Sequence, residues 1–455
     1  MHEQTRGLGF AALFAVAIGV IVAQSTIVSL LQATAIGGWG FVGALAIGWA
    51  LMMANSATYA ELALMMPRAT GIGAYIGAGL GPLPAIFAVF AGYVVPALFG
   101  PAAELLLVDA VLAQLLPGVL PGFGWAALLL GVLVVLNLLG TDVFARVQTA
   151  LTFTMLVFLL LTAATGLAGP PTAPAAQGLS AMGADITVFG IVALVMYSLI
   201  GTEFVTPLTG AARDPARHVP RAMFVGLTVV ALANAAFCLA AVAAVGRARL
   251  GESPLPHLDV VQAVFGPGAR LLFAAIAITA TASLLNMVLG AVPRMLMEMA
   301  RSGEAFPVLA RTNARGVPWV ATLFVAALPL VGLAWAGGDI GRIVPLLVAA
   351  AGAWLVSYMV AHLALLALRR RAAGAARPWR SPFAPWPQLL AIAGMGWVIA
   401  HAAPAPELEG PVFTALAAVL GLVALIGTAW VRLVMRKPLF GATAGDAPNT
   451  GVNPP

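Results

Sequence analysis

Charge is what this sequence most conspicuously lacks. Only 8% of its 455 residues are Asp, Glu, Lys or Arg, while 62% are hydrophobic. Soluble domains carry about 25% charged residues and roughly 45–50% apolar ones. No water-soluble core of any size uses this composition, which identifies an integral membrane protein. Cysteine is almost missing as well. The single Cys238, in NAAFCLAAVAAV, excludes an intrachain disulfide framework and a cysteine metal cluster. His2, His218, His257, His362 and His401 are scattered without an H-x-x-x-H pair, so no metal site is expected. The glycine-rich GIGAYIGAGLG lacks the G-x-G-x-x-G spacing and follows no strand, which argues against nucleotide binding. No His–metal cluster, paired acids or nucleophile with its base falls inside the apolar runs. Neither an enzyme nor a cofactor is expected. MHEQTRGLGF runs into an apolar segment with no clear A-x-A cleavage site and reads as the start of a retained first span.

Long apolar runs are abundant. Runs able to cross ~30 Å of hydrocarbon fall at 9–33, 39–64, 83–112, 125–141, 147–168, 184–210, 222–246, 260–292, 318–336, 340–368, 387–403 and 412–434. These make an all-α protein of about twelve transmembrane helices. The basic residues alternate from loop to loop. Arg6, Arg68, Arg146, Arg213, Arg217, Arg221, Arg294, Arg301, Arg311, Arg315, Arg369, Arg370, Arg371, Arg377, Arg380, Arg432, Arg436 and Lys437 put 18 of the 22 basic side chains on one side. Arg247, Arg249, Arg270 and Arg342 remain for the other. By the positive-inside rule both termini are cytoplasmic, in a plasma membrane. The pI of about 10.2 is then a topology signal, with anionic lipid headgroups as accompanying partners and no nucleic acid.

Two of the runs are interrupted. The sixth reads VFGIVALVMYSLIGTEFVTP and breaks at Ile200-Gly201-Thr202-Glu203, with Pro207 just beyond. The first reads AIGVIVAQSTIVSLL, with Gly19 and then Gln24, Ser25 and Thr26 in its middle. Broken helices five spans apart fit an inverted repeat with a binding site between them. Unwinding frees backbone N–H and C=O groups, which lipid tolerates only where they line a cavity or meet a ligand. Freed N–H groups favour a carboxylate; freed carbonyls favour an ammonium or a metal cation. Gln24, Ser25 and Thr26 equally fit interhelical hydrogen bonding. Glu203 is the more telling residue, because an intramembrane acid is costly and marks function by default.

Four further segments carry a resemblance. Glu61-Leu-Ala-Leu-Met-Met-Pro67 with Gly71-Ile-Gly-Ala-Tyr75 is similar to an E-L-x-x-x-x-P…G-G-x-Y signature. YSLIGTEFVTPLTGAARDPARHVPRAM is similar to aromatic-x-x-x-G-x-E…N-P-x-R-x-I-P-x-A. PRMLMEMARSGEAFPVLARTNARGVP and RRRAAGAARPWRSP match two more steps in the same order. Together they resemble the amino acid–polyamine–organocation (APC) permeases over nearly the whole chain. The resemblance implies a LeuT-like fold: a ten-span core at 1–370, with repeats at about 9–168 and 184–368, two peripheral spans at 371–436 and a short disordered tail at 437–455. It implies secondary transport of a small amino acid or organic amine by alternating access, most simply symport with a proton. It places the substrate among Gly19, Val22, Ala23, Gln24, Ser25, Thr26, Tyr197, Ser198, Gly201, Thr202 and Glu203, with Glu203 also coupling the proton.

The chain departs from the family pattern twice. Ala23-Gln24-Ser25 stands where family members carry G-S-G for a substrate carboxylate, so an amine without a carboxylate is an open alternative. Met155 stands where many proton-coupled members carry a lysine in span five. A Na⁺ site at Gly19, Val22, Thr279, Thr281 and Ser283, or exchange without an ion, therefore stays open beside the proton. A membrane sensor that has kept the fold and lost translocation is the rival of another class. Glu104 and Asp109 either attract cations at an entrance or partner nearby donors, and Tyr93 and Asn286 either pack or reach the site. Oligomeric state is open.

Overall fold

The computed structural model describes residues 7–21, 23–67, 71–170, 172–174, 177–183, 188–253, 255–338, 340–403 and 406–441. His2, Arg6, Val22, Arg68 and the tail beyond 441 lie outside the described residues.

Proline and glycine punctuate the apolar runs into helices, because each stops the i→i−4 ladder. The first run divides into α1 (Phe10–Ile18) and α2 (Gln24–Gly37). α3 (Gly40–Met65) and the short α4 (Ile72–Leu80) follow. The third span is α5 (Pro82–Val89) and α6 (Val95–Leu115), joined by a π-helical turn at Phe90–Val94. Pro96, two residues past that turn, has no N–H to give the ladder. Next come α7 (Gly124–Leu138), α8 (Thr141–Ala168) and α9 (Val188–Tyr197) with its 3₁₀ continuation Thr202–Ala211. α10 (Pro215–Val245), α11 (Arg247–Glu252), α12 (Pro256–Phe265), α13 (Arg270–Arg301), α14 (Trp319–Ala336) and α15 (Ile340–Arg371) complete the core. α16 (Trp386–Ala400) and α17 (Pro406–Ala429) end the chain.

Among the described residues, nine stretches are long and apolar enough to span a membrane. The α1–α2 pair and the shorter α7 and α16 bring the number to the twelve expected. The largest boundary difference from the hydropathy pattern is in the eighth run. The run expected at 260–292 starts instead at Arg270, because Gly266 and Pro267 separate α12 from α13. It also continues to Arg301, so Arg294 lies inside a helix rather than in a loop.

The two broken spans sit inside the bundle. α1 packs on α8 and α10, and α9 packs on α2 and α3. Gly226 of α10 allows the α1 contact, since a Cβ there would come within 2.6 Å of Ile18. α17 is peripheral: only 17% of its apolar window is buried, and Leu425 and Leu433 face outward, as lipid contact requires. On the arginine-rich side, buried Glu61 of α3 holds the loop after α15. It accepts from Arg369 Nε (3.0 Å) and Nη2 (2.5 Å) and from the Ser381 amide (2.7 Å), and pairs with Arg377 at 3.3 Å. A buried carboxylate needs this many donors to offset its desolvation. Glu61 thus anchors that loop.

Candidate functional site: two helix breaks around a central cavity

The first break leaves five residues, 19–23, between α1 and α2. Thr26 organises it locally, accepting from the Ala23 amide (3.1 Å) and donating toward the Ile21 and Ala23 carbonyls (2.8 Å each). That is an N-cap built from inside the helix. The amides of Gln24 and Ser25, which begin α2, meet a carboxylate from another helix. Glu104 of α6 accepts from Ser25 N–H at 2.7 Å and Gln24 N–H at 3.3 Å, and Thr281 of α13 donates to it at 3.1 Å. Of the two sequence readings of Glu104, the structure selects the partner of nearby donors. Asp109 does likewise, accepting from the Ala126 amide at the start of α7 (3.1 Å).

The second break covers 198–201. Gly201 has φ +132°, a conformation side chains rarely adopt, and this frees the chain to restart as a 3₁₀ helix. Glu203 lies in its first turn, wholly buried. Its Oε1 accepts from Tyr93 O–H at 3.3 Å, whereas Oε2 has no hydrogen-bond partner. Tyr93 also meets Tyr59 at 3.4 Å between hydroxyls, and Tyr358 and Trp354 crowd the same carboxylate.

A small cavity lies between the breaks. Val20 and Thr26 line it from the first break; Tyr197, Ile200 and Phe204 line it from the second. Tyr93, Phe204 and Trp354 form an edge-to-face cluster on one wall, with ring centroids 5.6–5.8 Å apart. No basic side chain is among the lining residues.

The expected site residues divide accordingly. Thr26 and Tyr197 face the cavity. Ser25 Oγ is buried with no partner. Gln24 turns away; its amide donates to Thr281 Oγ1 (2.8 Å) and its carbonyl meets His257 (3.3 Å). Thr202 bonds Ser56 of α3 (2.8 Å), and Ser198 bonds its own helix at the Val195 carbonyl (2.7 Å). Gly19 and Ala23 contribute backbone alone, and Val22 is outside the described residues.

Of the proposed sodium ligands among the described residues, only Ser283 and Gly19 are brought together. Helical residues two apart point about 200° apart. Thr281 therefore faces Glu104 while Ser283 donates to the Gly19 carbonyl (2.8 Å). Thr279 bonds back to Ala275. The space beside Gly19 is taken by Gln148 of α8, whose amide would lie 1.9 Å from a Cβ there. Gln148 donates to Ser283 (2.8 Å) and Thr152 (3.0 Å) and accepts from Asn286 (2.9 Å), which in turn accepts from Asn137 (2.8 Å). Asn286 thus belongs to this neutral network rather than to the cavity.

Sequence reasoning missed Phe204 and Trp354 as wall residues and Tyr358 as a neighbour of Glu203. The tyrosines carried a signal. Membrane proteins favour Tyr at the headgroups, yet Tyr59, Tyr93 and Tyr358 fall within apolar runs and are fully buried.

Two discontinuous helices about an enclosed cavity define a multi-span membrane protein of the LeuT-like fold. A family model described as amino acid permease matches residues 8–434, and the chain belongs to that family. It is 27% identical to a probable GABA permease of Pseudomonas aeruginosa over 45% of each chain. It is 31% identical to the amino-acid permease RocE of Bacillus subtilis over 30% of each. The chain thus spans less than half the length of these two relatives. The serine/threonine exchanger SteT of Bacillus subtilis is 26% identical over 78% of this chain and 80% of its own. Among solved structures, the nucleobase-cation-symport-1 transporter Mhp1, in a closed conformation with bromovinylhydantoin bound, superposes with a TM-score of 0.59. It covers 96% of this chain and 95% of its own at 16% identity, a likeness of fold.

Proposed function

We propose that the protein is a secondary active transporter that carries a small amino acid or organic amine across the plasma membrane by alternating access, coupled to a proton. The observation that carries this reading is Glu203. A buried carboxylate oxygen without a partner, beside a cavity between two helix breaks, is stable only if a proton, an ammonium or both visit it. Tyr93 bridges Glu203 to the cavity wall, so occupancy of the cavity and protonation of the acid share one hydroxyl. Thr26, Ser25 and Tyr197 supply further polar contacts. The family membership and the likeness to amino acid permeases support the substrate class.

The neutral Gln148 network supports a proton over Na⁺, because a cation beside the Gly19 carbonyl would have to displace an amide already bonded to three side chains. A backbone ladder supports gating on the arginine-rich side. The Leu8 amide donates to the Ala211 carbonyl and the Arg213 amide to the Leu8 carbonyl, both at 2.8 Å, which fastens the approach to α1 against the end of the 3₁₀ segment. Opening that pair releases both broken helices at once. With the arginines cytoplasmic, this is the inner gate.

Uptake by proteoliposomes under an imposed inward proton gradient tests the reading, with a Na⁺ gradient as the parallel arm. Accumulation driven by the proton gradient is expected. Accumulation driven by Na⁺ alone removes Glu203 as the coupling group, and an inert protein removes transport itself.

A further inference from the structure

The amides that begin α2 are where a ligand carboxylate belongs, since helix N-termini attract anions. In this chain they are already taken. Glu104 is fully buried, and its two oxygens accept from Ser25 N–H, Gln24 N–H and Thr281 Oγ1. Thr281 is itself fixed by the Gln24 side-chain amide at 2.8 Å. The arrangement closes on itself: the helix that offers the amides also steadies the hydroxyl that orders their acceptor.

A second carboxylate arriving from the cavity would find both amides engaged and a like charge at contact distance. To displace Glu104 it would strand a buried acid away from three donors, which costs more than the new contact returns. The rest of the cavity complements a cation. Next to the lining residues Phe204 and Thr26, Glu203 Oε2 and Ser25 Oγ are buried polar atoms without partners, though neither residue lines the cavity itself. Tyr93, Phe204, Trp354 and Tyr197 offer aromatic surface, which attracts ammonium groups. No lining side chain is basic, so nothing in the cavity wall answers a negative charge.

We infer that the substrate is an organic ammonium compound with no carboxylate group, Glu104 standing permanently where the carboxylate of a free amino acid would otherwise sit. This rests on the transport reading above and narrows it to one substrate class.

Matched pairs that differ by one carboxylate test it: putrescine against ornithine, agmatine against arginine, and phenethylamine against phenylalanine. Uptake of each is measured in proteoliposomes holding the full chain. Wild-type protein is expected to favour the amine at least tenfold in one or more pairs. Glu104→Gln keeps an acceptor oxygen and removes the charge, and it is expected to shrink that preference at least threefold. The wild-type comparison stands even if the variant does not fold. A preference below tenfold in every pair, or one for the amino acids, overturns the inference and leaves the transporter reading intact. Uptake of no compound under any gradient overturns both. A Glu104→Gln protein that is folded and keeps the full wild-type preference also overturns the inference, because Glu104 then does not set it.

Discussion

The two helix breaks face each other across one cavity, and each keeps a fully buried glutamate beside it, yet the two acids are in opposite conditions. Glu104 is held by three donors drawn from α2 and α13. Glu203 has one long contact to Tyr93 and one empty oxygen. A satisfied buried carboxylate stabilises its surroundings, and an unsatisfied one costs stability unless something visits it. The first break is therefore built to stay in place and the second to respond. The same division shows in the backbone. Gly19, at the first break, keeps ordinary helical angles (φ −66°), whereas Gly201, at the second, sits at φ +132°.

Removing each acid in turn sharpens this contrast. Glu104→Ala leaves the Gln24 and Ser25 amides buried without acceptors, at about 1–3 kcal/mol each. The expected loss is about 2–6 kcal/mol, read as a lower melting temperature of the purified protein. Glu203→Gln is isosteric and removes a charge that has little to hold it, so its melting temperature should match wild type or exceed it. If Glu203→Gln destabilises the protein as much as Glu104→Ala does, the contrast is wrong and Glu203 is as much a structural group as Glu104.

The second acid shows its role in transport instead. Glu203→Gln cannot lose a proton, so uptake driven by an inward proton gradient should fall about tenfold, equivalent to about 1.4 kcal/mol. What uptake remains should no longer vary with external pH. Initial rates across a pH series, for wild type and variant side by side, give both readings. A variant that retains the wild-type pH profile retires Glu203 as the coupling group and makes the two breaks alike.

Much of this was legible from the residues alone, because the cues were local. Lipid admits no unpaired backbone, so Gly19 and Gly201 amid polar neighbours were enough to locate the breaks. Twelve crossings followed from run length. What escaped was set by distance or direction. Glu104 lies about 80 residues from the amides it holds, and nothing local says which of several donors it meets. Thr279, Thr281 and Ser283 looked like a ligand set when counted along the chain, but the helical turn sends them to different neighbours. Trp354 and Tyr358 sit one turn apart in α15, a spacing also suited to simple packing. Only their approach to Glu203 distinguishes them.

The smallest effect expected concerns the glycines, and it separates two kinds of crowding. At Gly201 an alanine meets both an unfavourable φ and Val20 Cβ at 3.0 Å, so the strain falls on backbone shared by the two breaks. About 1 kcal/mol of stability is the expected loss. Uptake should slow as well, since the hinge no longer turns freely. At Gly19 the backbone angles suit alanine, but its Cβ would meet the end of the Gln148 side chain and, at 2.9 Å, the Ala15 carbonyl oxygen. Gln148 can swing aside by giving up its bonds to Ser283 and Thr152, which unlocks the neutral network without touching the hinge. Gly19→Ala paired with Gln148→Ala removes the side-chain obstacle and should recover part of what Gly19→Ala loses. No change at Gln148 should rescue Gly201→Ala. Melting temperatures of the three single variants and of Gln148→Ala paired with each glycine variant decide it: equal rescue at both glycines would mean that the second break is held by side-chain packing, as the first is, and not by the backbone freedom of Gly201.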